Sequence, residues 1–271
     1  MKKNLILSAA FDLEINQIEL FLKSLRKYYQ EEIYLLIGPK DIDLKEKLKS
    51  YNCNFFIADA NKKEISTKRF IFFYEFLKKN KFQNIFLCDS RDVYFQSNPF
   101  DFPYKSDINF FLEDKKIKEC PINSKWIIRT YGAQIFNEIG EEIIMCAGTV
   151  MGTQEKIIEY LFLVSNQISK FKYKKRIKYL LTFRPDKEGR GVDQGHVNYL
   201  VRKKFIKNCS FYSNSSGPVA TIFYLKKILF DQNLRLLNDS NKPYAVVHQY
   251  DKRWNEFSFA VNKLKRDLNI N

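Results

Sequence analysis

The chain contains 271 residues, of which 45% are hydrophobic and 16% aromatic; this excludes a disordered chain and suffices for one large α/β domain. The formal net charge is +15, which is compatible with a solvated basic surface, an anionic membrane face, a phosphorylated or lipid-linked acceptor, or nucleic acid. No run of about 18 apolar residues is present, so we expect no helix that spans a bilayer.

The five cysteines are scattered along the chain without a Cys-x-x-Cys pair. This pattern argues against a zinc site and a disulfide framework and favours a reducing compartment. The apolar segment Leu5–Phe11 follows two lysines, as in a signal peptide, but Asp12 and Glu14 interrupt it. We therefore interpret it as the first strand and expect a cytoplasmic protein.

In the first hundred residues, segments with the hydrophobic pattern of a β-strand alternate with segments that have the pattern of an amphipathic helix. Strands are predicted at 4–11, 33–38, 54–59 and 85–88, and amphipathic helices at 15–29, 44–51 and 66–80. Ser66 is the expected N-cap of the third helix. This spacing is typical of βαβ units and predicts a mostly parallel sheet with right-handed crossovers.

The second half is less regular. Its patterns predict a strand at 108–112, a helical or loop stretch at 126–136, a strand at 143–151, a helix at 154–169, a loop at 184–195 that leads into a helix, and a short strand at 245–248. We expect one domain over residues 1–271. Its nucleotide-binding half covers 1–100, its acceptor-side half 101–255, and a basic C-terminal tail 256–271, frayed from residue 263.

A dense basic run occupies residues 170–178, with Phe171 and Tyr173 between the lysines. A solvated helix face explains this composition. The interleaved aromatic rings also allow a second interpretation, in which the run contacts an anionic membrane surface.

Two acids at the exit of the fourth predicted strand carry the strongest chemical signal. Asp89 and Asp92 follow the apolar residues 85–88, and acids at such a position usually bind a cation. Mg²⁺ and Mn²⁺ take carboxylate oxygens together with phosphate oxygens, which points to a nucleoside diphosphate ligand. Both acids can reach one ion only if the chain turns at Ser90-Arg91. The alternative is that one acid pairs with Arg91 or caps a helix.

At this point the chain resembles the GT-A glycosyltransferases, which use nucleotide sugars, and among them the glycogenin and lipopolysaccharide galactosyltransferase type. The resemblance depends on five features in order: Arg69 in the helix before the acidic strand, Phe86–Phe95 with its acids, Cys146-Ala-Gly-Thr, Val192–Asn198, and Val247–Trp254. The acidic pair departs from the D-x-D of that family, because two residues separate Asp89 from Asp92. Aligning the residues after Asp92 with those that follow the second acid of the family motif favours Asp92 as a metal ligand. Asp89 would then be its partner and bind the ion directly or through water.

The resemblance implies a donor site and a metal shell. His248 would complete the shell, and because imidazole suits Mn²⁺ better than Mg²⁺, it favours manganese. Lys252 would neutralise the leaving diphosphate. Arg69 would bind the diphosphate or the sugar through the N–H groups of its planar guanidinium. Ser90, between the two acids, belongs to the same sugar-nucleotide site.

Three residues at the carboxyl end of the first strand, Ala10, Phe11 and Asp12, lie where open α/β sheets bind nucleotides. The ring of Phe11 or an adjacent backbone edge could hold the base, and Asp12 could accept a hydrogen bond from it. Asp193 and Gln194 resemble an Asp-Gln segment that lies beside the sugar and the acceptor. Asp193 would act as base in an inverting reaction, whereas Gln194 would lie near the anomeric carbon in a retaining one. Asp193 could equally be a helix N-cap.

These features predict an α/β protein of GT-A fold, Rossmann-like, with C-terminal elaborations. Its predicted function is metal-dependent transfer of a hexose from a UDP-linked donor to a hydroxyl of a glycan or glycolipid, with retention favoured over inversion. We expect the reaction to belong to cell-envelope synthesis and to take place at the inner face of a membrane. A sugar-phosphate nucleotidyltransferase would carry a Gly-rich signature after the first strand, which is missing here. A basic nucleic-acid- or membrane-binding protein without catalysis is the alternative of another class. Paired acids on a buried strand disfavour nucleic acid, because they repel phosphates unless a metal intervenes.

Overall fold

A computed structural model describes residues 3–60, 64–182 and 192–270, with the backbone alone for residues 172–182. The first hundred residues alternate strand and helix, as predicted. The elements are β1 (Leu5–Ala9), α1 (Ile15–Arg26), β2 (Glu32–Ile37), α2 (Ile42–Lys49), β3 (Asn54–Ile57), α3 (Ile65–Lys79) and β4 (Asn84–Cys88).

Several boundaries in this half differ from the prediction by two or three residues, and two differences concern residues named above. β1 ends at Ala9 rather than at residue 11, and Asp12 adopts a left-handed conformation with φ of 53°. The N-cap of α3 is Glu64, not Ser66, since the Glu64 carbonyl already accepts hydrogen bonds from the N–H groups of Thr67 and Lys68. Ser66 therefore lies in the first turn of the helix.

The remaining elements follow in less regular order. They are β5 (Val93–Phe95), β6 (Ile108–Lys116), α4 (Pro121–Ile139), β7 (Ile143–Thr153), α5 (Gln154–Thr182), α6 (Val192–Arg202), β8 (Cys209–Tyr212), β9 (Val219–Thr221), β10 (Leu229–Phe230), β11 (Leu236–Leu237), β12 (Val246–His248) and α7 (Trp254–Asp267). The stretch predicted at 126–136 lies in α4, which kinks at Gly132 with φ of 90°. Of the loop predicted at 184–195, residues 184–191 lie outside the described residues, and the rest begins α6.

The helix predicted at 154–169 continues to residue 182, so the basic run 170–178 is helical. Lys170 is exposed and Phe171 is buried. The side chains of residues 172–178, on which the predicted membrane contact depends, lie outside the described residues. Within the described ranges, no helix has the length and the apolar character that crossing a membrane requires.

The described strands form a seven-stranded central sheet in the order β3-β2-β1-β4-β7-β6-β8. It is mostly parallel; only β7 runs antiparallel to its neighbours, β4 and β6. Side chains alternate between its two faces. Leu5 and Leu7 on β1 pack towards α3 and α5, whereas Ile6 packs towards α1 with Phe21 and Leu25. The chain is therefore a mixed α/β protein with helices on both faces of the sheet.

A second sheet joins distant parts of the chain. It has three strands in the order β5-β12-β9; β12 pairs antiparallel with β5 and parallel with β9. β5 follows β4 after only a short turn, so this sheet is attached to the carboxyl edge of the central one.

The prediction that the basic C-terminal segment is frayed from residue 263 is wrong. Residues 254–267 form α7, whose Phe257, Ala260 and Val261 are buried. Phe257 and Val261 pack in a cluster with Tyr94 of β5 and Val247 of β12. The lysine-rich composition concealed one apolar stripe at helical spacing, and burial of that stripe orders the segment.

Candidate metal centre

The two acids Asp89 and Asp92 lie in the connection between β4 and β5, and the chain turns between them. The Ser90 hydroxyl donates a hydrogen bond to the Ala9 carbonyl at the end of β1, 2.8 Å away. The Asp89 N–H donates to the Gly148 carbonyl on β7, 2.9 Å away. These bonds fix the connection against two strands, so the turn that both acids need in order to reach one ion is present.

The small sheet brings His248 to these acids. In the pairing of β12 with β5, His248 lies opposite Val93, the residue after Asp92. Its Nε2 is 3.4 Å from Oδ2 of Asp89 and 3.8 Å from Oδ1 of Asp92. One ligand atom from each of the three residues lies within 4.8 Å of the others. Asp89, Asp92 and His248 could therefore hold a metal ion.

The surroundings of His248 fit such an ion. The side chain is 1% exposed, and its Nε2 has no hydrogen-bond partner among the residues described. The nitrogen faces the oxygens of Asp89 and Asp92 at 3.4 and 3.8 Å, so an ion placed among the three groups would be within reach of each. Two carboxylates and one imidazole are a donor set that a divalent transition ion accepts.

Gly148, within the Cys146-Ala-Gly-Thr segment of β7, leaves room for this cluster. A Cβ at position 148 would lie 2.5 Å from Cε1 of His248 and 2.6 Å from Oδ2 of Asp89. Packed carbon atoms do not approach so closely, so a larger residue would displace one of the two ligands. In the sequence this segment was a weak motif; in the structure it forms one wall of the metal centre.

Arg69, predicted to bind the donor, connects two carboxylates. One guanidinium nitrogen bonds to Oδ1 of Asp89, and the other lies 3.2 Å from Oδ2 of Asp193. The planar guanidinium of arginine presents several N–H donors, so it can bind two carboxylates at once. Arg69 therefore links the metal centre on the β4 edge to the first turn of α6, where the predicted catalytic residues lie.

The carboxylates differ in electrostatic environment. Burial raises the pKa of Asp89, but the charges of Arg69 and His248 outweigh this effect and hold that pKa well below its usual range. Burial raises the pKa of Asp92, and the charges of Asp89 and Asp251 raise it further, so that the charges of His248 and Arg91 offset the rise only in part. Burial also raises the pKa of Asp193, and Arg69 opposes this shift only in part. A cation placed among these acids would stabilise their charged forms.

The alternative that Arg91 pairs with one of the two acids does not hold. Its guanidinium lies 3.0 Å from Oδ2 of Asp251 on the surface. The same carboxylate oxygen lies 3.2 Å from the amine of Lys252. Lys252, predicted to neutralise the diphosphate, is thus exposed on the short helical turn Tyr250–Arg253 that follows His248, with its amine at Asp251.

Gln194, the second predicted catalytic residue, is held in a polar cluster that sequence reasoning missed. Its amide nitrogen donates to Oε1 of Glu113, 3.1 Å away, and to Oδ1 of Asn123, 3.2 Å away. Its amide oxygen accepts from the N–H of Ala147 at 3.4 Å. Glu113 is 2% exposed, and burial raises its pKa to about 7. The available signal was an acid directly after an apolar strand, as at Asp89.

A cavity of about 380 Å³ opens beside the metal centre, which is within the usual range of ligand pockets. Its lining includes both acids together with three predicted donor-site residues: Phe11, Arg69 and Ser90. Apolar surface from Phe11 and charged surface from Arg69 thus face the same space.

The other two residues predicted beside the nucleotide are placed differently. Ala10 is fully buried, and its N–H donates to the Leu36 carbonyl across the sheet. The Asp12 N–H donates to the carboxylate of Asp41, 3.2 Å away, and Asp12 lines a separate depression of about 920 Å³ between α1 and α2. Phe11 and Leu13 line the cavity beside the metal centre, whereas Asp12 between them does not.

Comparison with known proteins gives no independent identification. The chain matches no protein-family model and no curated protein.

Proposed function

We propose that this protein is a metal-dependent glycosyltransferase that moves a hexose from a nucleoside diphosphate sugar, UDP-linked, to a hydroxyl of a glycan. The proposal includes a GT-A fold for the chain. The mixed seven-stranded sheet and the second sheet that carries His248 to the acids support this assignment. So does the order of the five sequence motifs.

The position of the centre supports a nucleotide ligand. Asp89 and Asp92 follow the carboxyl end of β4, beside the end of β1, which is where open α/β sheets bind nucleotides. The adjoining cavity offers Phe11 to a base and Arg69 to an anionic or polyhydroxyl group. A ligand that joins an apolar ring to a diphosphate matches these two surfaces.

The observation that carries the proposal is the convergence of His248, whose side chain is 1% exposed, with Asp89 and Asp92, so that one ligand atom from each lies within 4.8 Å of the others. Mn²⁺ is the ion that we propose, with Mg²⁺ as the alternative, because imidazole binds manganese more readily. When bound, such an ion neutralises charge on the departing diphosphate. Asp89, Asp92 and His248 would hold it.

For the stereochemical outcome we favour retention. Asp193 is buried and its carboxylate is engaged by Arg69, which leaves it poorly placed to take a proton from an acceptor. Gln194 is fixed by three hydrogen bonds, as expected for a residue that positions a sugar beside its anomeric carbon. Inversion with Asp193 as base is the alternative.

We further propose that the acceptor is a glycan or glycolipid of a cell envelope and that the enzyme works in the cytoplasm at the inner face of a membrane. The net charge of +15 supports an anionic surface as partner. Nucleic acid fits less well, since the cavity is lined by two carboxylates.

Calorimetric titration of sugar nucleotides with and without Mn²⁺ tests the function. We expect one donor to bind wild type only when the ion is present, and Asp92→Asn to abolish that binding. Asp239→Asn, which removes the same charge at an exposed site, is the control and should bind as wild type does. Donor binding that is independent of the ion, or unchanged in Asp92→Asn, would refute the proposal.

A further inference from the structure

The imidazole of His248 has a second neighbour on the side away from the carboxylates. Its Nδ1 lies 3.4 Å from Sγ of Cys146 on β7. Both side chains are buried, each with 1% exposure. Within the described part of the chain, this sulfur is the hydrogen-bond partner of Nδ1.

The chemistry of a metal-bound histidine restricts the role of this contact. A neutral imidazole carries one N–H, and the nitrogen that binds a metal must present its lone pair. If Nε2 faces the ion, Nδ1 must carry the hydrogen and needs an acceptor. Metal-binding histidines nearly always have such an acceptor, commonly a carboxylate or a backbone carbonyl. At this site the available acceptor is a sulfur atom.

We infer that Cys146 is a positioning residue for His248: its sulfur accepts the Nδ1–H bond, which fixes the ring orientation and directs the Nε2 lone pair towards Asp89 and Asp92. This inference rests on the metal centre of the proposed function. It assigns to Cys146 a task at the metal rather than at the acceptor.

The geometry of β7 supports this assignment. Cys146 and Gly148 are two residues apart on one strand, so they face the same side of the sheet. Cys146 contacts Nδ1, and the missing Cβ of Gly148 leaves the space that the adjacent Cε1 and Nε2 occupy. One strand thus contacts the imidazole along the edge that carries both nitrogens.

The opposite hydrogen bond makes a different prediction. If the thiol donated to Nδ1, the ring hydrogen would sit on Nε2 and face the two carboxylates, and Nε2 could not bind a metal. The two arrangements therefore differ in which nitrogen carries the hydrogen in the metal-loaded protein.

Metal affinity separates the two arrangements in variants. We would titrate Mn²⁺ alone, without nucleotide, into wild type, Cys146→Ser and Cys146→Ala. Loss of an outer partner of a metal-bound histidine typically weakens binding by about 10–100-fold, which we expect for Cys146→Ala. Cys146→Ser keeps an acceptor and should stay within a few-fold of wild type. Cys53→Ala, a buried cysteine between β2 and α2, is the control and should leave the affinity unchanged.

Nuclear magnetic resonance provides a readout on the wild-type protein itself. The chain has two histidines. Long-range ¹H–¹⁵N spectra of the protein saturated with Mg²⁺, or with Cd²⁺ if Mg²⁺ does not bind, show which nitrogen of each ring carries the hydrogen, and the spectrum of His196→Gln assigns the two rings. We expect His248 to carry its hydrogen on Nδ1. Equal Mn²⁺ affinity in the alanine variant and wild type would overturn the role of Cys146 but not the metal centre. A hydrogen on Nε2 would overturn both the role of Cys146 and that of His248 as a ligand, and absence of Mn²⁺ binding in wild type would overturn the metal centre as a whole.

Discussion

Val93 and His248 are register partners in the antiparallel pair β5–β12, and this pairing brings the imidazole to Asp92. The backbone strengthens the link, since the N–H of Gln249 donates to the Asp92 carbonyl at 2.8 Å. The candidate metal centre therefore depends on a three-stranded sheet outside the central one, and its stability is tied to whatever covers that sheet.

The C-terminal helix provides this cover, which leads to the first prediction. Phe257 is fully buried, in one cluster with Tyr94 and Val247, the residues beside the register partners. We expect Phe257→Ala to lower the free energy of unfolding by about 3–5 kcal/mol and to weaken Mn²⁺ binding. Phe259→Ala is the matched control, because Phe259 lies on the same helix but is 48% exposed. Urea denaturation of both variants measures the difference; equal costs would show that α7 does not support the sheet.

A second prediction concerns the space at Gly148. In Gly148→Ala the new Cβ would meet the His248 ring and the Asp89 carboxylate at 2.5 and 2.6 Å, so one ligand must move. We expect Mn²⁺ affinity to fall at least tenfold, with a stability loss of about 1–3 kcal/mol from overpacking. Calorimetry and thermal unfolding measure the two effects.

Gly132→Ala serves as the control for general destabilisation. Its Cβ would meet nothing within 4 Å, but φ of 90° strains an alanine there. It should lose stability and keep its metal affinity. If Gly148→Ala bound Mn²⁺ as tightly as Gly132→Ala does, the cluster would not be the ion's site.

The sequence predicts the parts of this molecule that depend on local pattern. The strands β1 to β4 and the helices between them follow from the local hydrophobic pattern, because each helix buries one face and each central strand buries both. The acidic turn could also be predicted, since Asp89 and Asp92 are polar residues at the exit of a fully apolar strand. Phe11 then follows from its place at the end of β1 and Ser90 from its place between the two acids, whereas Arg69 is expected only from the family resemblance.

What could not be predicted depends on packing between distant segments. Glu113 and Cys146 meet the site only because β7 lies between β4 and β6 in the sheet, and no local pattern encodes that order. The family resemblance places Lys252 at the donor, but a left-handed residue, Gln249 with φ of 65°, turns the chain between Lys252 and His248. The role of Arg69 as a bridge to Asp193 likewise depends on the docking of α6.

That bridge leads to a third prediction. Arg69→Gln leaves Asp89 and Asp193 without their shared cation, which should cost about 2–4 kcal/mol near neutral pH. The cost stays below that of a fully buried pair, because the Asp89 side chain is 31% exposed. In wild type the depressed pKa of Asp89 contributes stability above the unfolded pKa of about 3.9 and loses it as the pH falls through the lower, folded pKa.

The pH dependence distinguishes this cost from a general packing defect. In the variant the pKa of both carboxyls rises, and protonation relieves the repulsion, so the deficit relative to wild type should shrink between pH 7.5 and pH 4.5. Urea denaturation at both pH values measures it. Arg91→Gln, whose side chain is 53% exposed, should change stability by less than about 1 kcal/mol at either pH. A deficit in Arg69→Gln that does not vary with pH would contradict the electrostatic account.

The fourth prediction uses Glu113, whose burial is offset only in part by the charge of His248 and the hydrogen bond from Gln194. Its pKa is raised from 4.5 to about 7, mainly by burial. Below pH 4.5 the carboxyl is protonated in both states and its ionisation does not affect stability. Between pH 4.5 and 7 the unfolded chain loses the proton and the folded chain keeps it, so wild type loses stability as the pH rises through this window. Above it, the accumulated cost is constant.

Glu113→Gln removes this cost, because the amide keeps an oxygen for the Gln194 hydrogen bond and never ionises. The variant should match wild type at pH 4 and be more stable at pH 8, by up to about 3 kcal/mol. Glu75→Gln on the exposed surface of α3 should show no such divergence. Urea denaturation across this pH range measures the difference, and a chelator keeps cations from stabilising the carboxylate. Parallel stability curves for Glu113→Gln and wild type would mean that Glu113 ionises at its ordinary pKa. If instead the curves diverge with a chelator and converge when Mn²⁺ is added, the ion and Glu113 share one electrostatic environment, which places the Gln194 cluster beside the metal.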